Sequence, residues 1–261
     1  MASLPHYLSL LFFSNILILS TTVHGGSMPP VAAACPSFHC GDKHIQLGYP
    51  FWSEGQQNDP HCGYPGLALS CTAGPPILRL SGNPYCLKKI NYSENSLIIS
   101  FDEINNSDKD CPIAPHEVRL NSSYLSYTME DNKMVVFFYN CTLYPPSAPS
   151  IACLRHGLMR SYAFLEEAVS EFDWRQYCEA EVAVPMTEAA VDGLLTGGGI
   201  RSALEDGFKV TWQPPHEECW ACEASGGFCG YSGALHPKFT CFCNGGQQSL
   251  TCHGTGELLG F

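Results

Sequence analysis

The stretch CPSFHCGDKHIQLGYPFWSEGQQNDPHCGYPGLALSC, Cys35 to Cys71, decides how the rest of the chain is read. Four cysteines fall within it, two of them followed by glycine (Cys40-Gly41 and Cys62-Gly63), around the aromatic turn Tyr49-Pro50-Phe51-Trp52. Proline removes a backbone donor and glycine adds backbone entropy, so a long helix is excluded here. Short strands and tight turns held by crosslinks are expected instead.

Toward the N-terminus, Leu8 to Ser20 is an apolar run of about the length of a signal-peptide core, short for a membrane span. Small residues follow at Gly25, Gly26 and Ser27, so residues 1–26 read as a signal peptide; Ala32-Ala33-Ala34 offers a second cleavage position, and an uncleaved signal anchor is the alternative. No second apolar run long enough to span a bilayer occurs after it. All 15 cysteines lie beyond this leader, with Asn-x-Ser/Thr sequons at Asn91, Asn105, Asn121 and Asn140. Together they point to an oxidising secretory route. Thirteen Lys plus Arg against 25 Asp plus Glu give a net charge of −12. That excludes a nucleic-acid partner, which demands basic patches. It also sets a condition on any anionic sugar ligand: a local basic patch, or Ca²⁺ bridging carboxylates on both sides.

Toward the C-terminus the apolar pattern is first short and strand-like. Leu67 to Leu69, Ile77 to Leu80, Leu97 to Phe101 and Met134 to Tyr139 are bounded by Gly, Pro, Asn and Ser. The period then changes after the Pro-rich Tyr144 to Pro149. Leu158, Tyr162, Leu165, Val169 and Phe172 step by helical spacing and predict an amphipathic helix. A second helix is predicted from a Thr187 cap through Val191, Leu194 and Leu195, ended by Gly197-Gly198-Gly199, with a further short helix over Ile200 to Asp206. Gly207 to Trp212 reads as a strand. The fold class is therefore mostly β and disulfide-rich, a β-rich N-terminal cysteine domain followed by a small α+β cysteine-rich domain.

Several constellations carry no catalysis. The triglycine lacks both phosphate-loop patterns, Gly230-Tyr231-Ser232-Gly233 is no nucleophile elbow, and no HExxH occurs. Glu166, Glu167 and Glu171 make a solvated face without a paired acid and base. Cys219-x2-Cys222 with Cys241-x-Cys243 has the look of a zinc site, yet the second pair is CxC and the compartment favours disulfides. The framework comprises Cys35, Cys40, Cys62, Cys71, Cys111, Cys141, Cys153, Cys178, Cys219, Cys222, Cys229, Cys241, Cys243 and Cys252, with connectivity open. Because 15 is odd, at least one thiol is left over.

Several of these motifs are also shared with a known family. The order CG, YPFW, CGYPGLALSC, then Tyr85-Cys-Leu87-Lys-Lys-Ile90 before Leu97-Ile98-Ile99 and Cys111, resembles the extracellular domain of plant wall-associated and leaf-rust-10-type receptor-like kinases. The Phe138-Tyr139-Asn140-Cys141 ending, GFKVTW (207–212), Cys219-x2-Cys222, SGGFCG (225–230) and Phe239-x-Cys241-x-Cys243 are similar to the C-terminal part of the same ectodomains. The resemblance implies a galacturonan-binding domain over 35–113 and a receptor-kinase C-terminal domain over 140–252, with a cysteine module at 219–252. It implies that Cys86, at a variable position of its strand, is the odd thiol, expected as a buried small hydrophobe rather than an intermolecular link. It implies a secreted or cell-surface, non-enzymatic ectodomain, since the chain runs through Cys252 to Phe261 without an anchor or kinase. Its ligand would be the de-esterified galacturonan of pectin. Lys43, Arg79, Lys88 and Lys89 are the candidates for uronate carboxylates. Tyr49, Phe51, Trp52 and Tyr64 serve either a sugar-stacking face or the core. No cofactor is expected beyond such bridging Ca²⁺. Two other readings stand beside this one: a protein- or peptide-binding ectodomain or soluble decoy, and a piece of a longer receptor kinase.

Overall fold

The structure, a computed structural model, describes residues 35–40, 45–55, 61–72, 74–120, 124–143, 150–169, 174–196, 199–232, 238–244, 246–248 and 250–252. The leader at 1–26, Lys43, Asn121, Phe172, Gly197 and Gly198 lie outside these residues. Among the described residues no helix is long and apolar enough to cross a membrane.

The short apolar runs of the first half build a seven-stranded sheet. Its order is β3 (Trp52–Ser53), β5 (Ala68–Ser70), β6 (Ile77–Leu80), β7 (Asn83–Asn91), β8 (Ser96–Phe101), β13 (Phe208–Trp212) and β9 (Leu125–Ser126). Only β3 and β5 run parallel. Side chains alternate across a strand, so every second residue faces the core. Leu78 and Leu80, Tyr85 and Leu87, Leu97, Ile99 and Phe101, and Phe208, Val210 and Trp212 form that inner face, all buried. Ahead of the sheet stands the hairpin of β1 (Phe38–Cys40) and β2 (Ile45–Leu47).

A three-stranded sheet packs against it, ordered β11 (Arg160–Leu165), β10 (Asn132–Cys141), β12 (Ala180–Thr187). Here the central strand is apolar on both faces. Val135, Phe137 and Tyr139 join the main core, while Val136, Phe138 and Cys141 form a second cluster with Tyr162. That double burial accounts for the unbroken Met134 to Tyr139 run. The third sheet is β16 (Gly246–Gln248), β15 (Lys238–Cys243), β14 (Phe228–Ser232) and β4 (His61–Cys62).

Among the described residues, helices are few and short: α1 (Asp102–Asn105), α2 (Glu188–Leu195), α3 (Ile200–Asp206) and α4 (Glu217–Ala224). The Thr187 hydroxyl caps α2 by accepting from the Ala190 amide, as its sequence position requires. Among the described residues 158–169, the helix predicted over Leu158 to Phe172 is not there. Strand β11 and a 3₁₀ turn at Glu166–Ala168 replace it, and Leu158 is exposed in the turn before the strand. Tyr162 and Phe164, two residues apart, stand opposite Phe138 and Val136 of β10. Cross-strand aromatic packing there outweighs an intrinsically weak helical preference.

Two crossovers fuse the halves of the chain. Strand β13 inserts between β8 and β9, pairing Phe208 with Ile99 and Val210 with Leu97. In exchange β4 leaves its neighbours and pairs with β14, Cys62 opposite Gly230. One buried cluster accordingly runs from Phe38 to Cys243.

Candidate ligand-binding face

Seven disulfides cross-link the strands, the helix α4 and the segments between them. The pairs are Cys35–Cys62, Cys40–Cys71, Cys111–Cys153, Cys141–Cys178, Cys219–Cys229, Cys222–Cys241 and Cys243–Cys252. The sulfurs that gather near Glu223 and around Cys252 are therefore bonded in pairs rather than presented as thiolates. Cys86 remains unpaired and buried. Its thiol donates to Asp102 Oδ1 at 3.1 Å. Burial first, then the Asp102 hydrogen bond and charge, push its ionisation up to about 12.

The aromatics of the first cysteine segment turn inward. Phe51 packs edge-on to Trp212 and Tyr92, and the Trp52 indole donates to the Tyr64 carbonyl at 2.9 Å. The Tyr49 and Tyr64 hydroxyls both donate to Glu223 Oε1 on α4, Tyr64 at 2.6 Å, and the Cys229 amide donates to Tyr49 at 3.0 Å. Burial is the main cause that raises both phenols well above the usual tyrosine range, with Glu223 adding to it. This carboxylate couples the cysteine module to the N-terminal sheet. Sequence reading missed Glu223, because its partners lie more than 150 residues upstream and leave no local pattern.

The basic residues turn outward. Arg79 on β6 and Lys88 and Lys89 on β7 are all exposed. A β-bulge lies between Leu87 and Lys89, interrupting the alternation so that Lys88 and Lys89 both reach solvent. Lys88 Nζ donates to Asn105 Oδ1 on α1 at 3.0 Å. Among the described residues none of the three makes an ion pair with a carboxylate, whereas Arg119, Arg175, Arg201 and Lys209 do. Arg79 also lines a polar cleft of about 280 Å³ with Ser70, Thr72, Pro84, Asp102 and Asn106. Its size suits one sugar-sized group. A guanidinium, a carboxylate, two hydroxyls and an amide converge there, the donor and acceptor set a polyhydroxylated anion needs.

Comparison with known proteins matches two regions of the chain. Residues 35–100 match the wall-associated receptor kinase galacturonan-binding family, and residues 152–246 match the wall-associated receptor kinase C-terminal family. Among curated proteins, the leaf rust 10 disease-resistance locus receptor-like protein kinase-like 1.2 of Arabidopsis thaliana is 28% identical, covering 93% of this chain and 36% of that protein. Its relatives 2.5 and 2.8 from the same plant are 27% and 25% identical. They cover 83% and 81% of this chain, and 34% and 24% of their own lengths. The chain thus spans about a third of the length of the curated relatives it matches. No solved structure matches it.

Proposed function

We propose that this chain, which carries the galacturonan-binding and C-terminal domains of wall-associated receptor kinases in tandem, is an ectodomain that binds de-esterified galacturonan outside the cell or at its surface. Binding is reversible and non-covalent. The observation that carries the reading is Arg79 standing exposed in a polar cleft, on the strand next to Lys88 and Lys89, within the residues matched to the galacturonan-binding family. Arg79 would meet a uronate carboxylate in the cleft, its planar fork matching the two oxygens. Asp102, Ser70 and Thr72 would take sugar hydroxyls. The two lysines would meet carboxylates farther along the polymer. Ca²⁺ between acidic groups of protein and ligand is the additional bridge to test against a net charge of −12.

The test is binding of de-esterified oligogalacturonides to the secreted protein across a salt series, with and without EDTA. Arg79→Ala is expected to weaken binding at least about tenfold, the equivalent of ~1.4 kcal/mol. Saturable binding that salt weakens supports the basic face, and binding lost only in EDTA assigns the bridge to Ca²⁺. Absence of binding by a correctly bridged protein moves the reading to a peptide or protein ligand. The acidic balance and the inward-turned aromatics favour that second reading.

A further inference from the structure

The sequons at Asn91 and Asn105 look equivalent in sequence and both asparagines are half-buried, yet their side-chain amides are bonded in opposite ways. Asn105 ends α1 with its side-chain amide fully committed. Nδ2 donates to Ser100 Oγ at 2.8 Å and to the Phe101 carbonyl at 2.7 Å, while Oδ1 accepts from Lys88 Nζ at 3.0 Å. The orientation of this amide is fixed by chemistry: a carbonyl only accepts and an ammonium only donates. Both N–H groups point at the end of β8, where Ser100 is fully buried. An N-linked sugar replaces one of those hydrogens and needs the nitrogen to face solvent, which this geometry denies.

Asn91, at the last position of β7, has the opposite arrangement. Its Oδ1 accepts from the Ser93 amide at 3.1 Å and the Ser93 hydroxyl at 2.7 Å. Among the described residues its Nδ2 has no partner, and Tyr92 and Ser93 beside it are exposed. The amide nitrogen is thus turned away from every bond the side chain makes.

We propose that Asn91 carries an N-linked glycan and that Asn105 carries none, serving instead as a positioning residue for Lys88. The transferase acts on the extended chain, so the fold decides which modified chains it can keep. A chain modified at Asn105 gives up at least one of the two bonds that tie α1 to β8. Its sugar would also stand beside Lys88 and cover the basic face. This rests on passage through the secretory route, which the proposed function requires. It does not rest on what the face binds.

The experiment is site-by-site occupancy in the protein secreted by a plant host, read by mass spectrometry after amidase release in heavy-oxygen water. Expected are the isotope mark at Asn91 and unmodified Asn105. Ser107→Ala removes the second sequon while keeping the Asn105 bonds; it gives up only the exposed Lys109 amide bond to the Ser107 hydroxyl, and is expected to leave glycan mass and oligogalacturonide affinity unchanged and to lower the melting temperature less than Asn105→Gln. Asn105→Gln removes the bonds and is expected to lower the melting temperature and the affinity together, again without loss of glycan mass. Substantial occupancy at Asn105, or an unmarked Asn91 in protein whose seven disulfides have formed, overturns the proposal. Failure to bind oligogalacturonides in protein marked as expected sinks the ligand reading and leaves this one standing.

Discussion

Glu223 Oε1 accepts from two phenols, and the two are not equivalent. Tyr64 donates once, whereas Tyr49 donates to Glu223 and also accepts from the Cys229 amide. Tyr64→Phe is expected to cost about 1.5–3 kcal/mol by denaturant unfolding, the loss of one hydrogen bond to a charged group. Tyr49→Phe is expected to cost more, because it also leaves the buried Cys229 amide without its acceptor. Equal losses would contradict the asymmetry. Cys86 has its own signature: a buried thiol, ionising near 12, is protected from alkylation at pH 8 in the native protein. One equivalent is expected to react after unfolding in guanidinium without reductant; rapid labelling of native protein would place that thiol elsewhere. At this scale the outward basic residues were legible from charge alone, since Arg79, Lys88 and Lys89 have no apolar contribution to make inside. The aromatics read as core or as a sugar face, and they turn out to be core; their partners were not legible. Tyr49, Phe51 and Tyr64 turn inward because their partners Glu223 and Trp212 come from the far end of the chain, beyond the reach of any local pattern.

Strand β13 depends on the residue before it. Gly207 has φ of 71°, and a Cβ there would lie 2.0 Å from the Ile99 carbonyl oxygen. Neither the backbone of β8 nor the turn has room to yield. Gly207→Ala is expected to cost at least ~3 kcal/mol, combining the left-handed backbone penalty with a main-chain clash. The readout is secreted yield together with the melting temperature, and a variant that melts like the parent would show that β13 does not approach β8 this closely. The elements themselves divide by how local their causes are. The Thr187-capped helix and the alternating strands β6 and β13 follow from spacing that each segment carries within itself. Strand β11 does not: the spacing of Leu158, Tyr162 and Leu165 is helical, and only the facing Phe138 and Val136 draw the segment into a sheet.

The two family-matched regions are one folding unit. Strand β13 completes the sheet of the first, β4 completes the sheet of the second, and Cys111–Cys153 ties the segment between them to the second. Unfolding is expected as a single calorimetric transition whose van't Hoff and calorimetric enthalpies agree. Residues 35–113 expressed alone are expected to lack cooperative melting, since β8 would expose an unpaired apolar edge. Two resolved transitions, or a cooperative isolated fragment, would contradict this. The interleaving also has a temporal side. A ribosome delivers the chain from one end, and β13 emerges more than a hundred residues after β8. At about 5–20 residues per second the first sheet waits on the order of ten seconds for its missing strand. Throughout that interval the nascent chain presents an open β edge, so its earliest need is a chaperone, well before it meets any ligand.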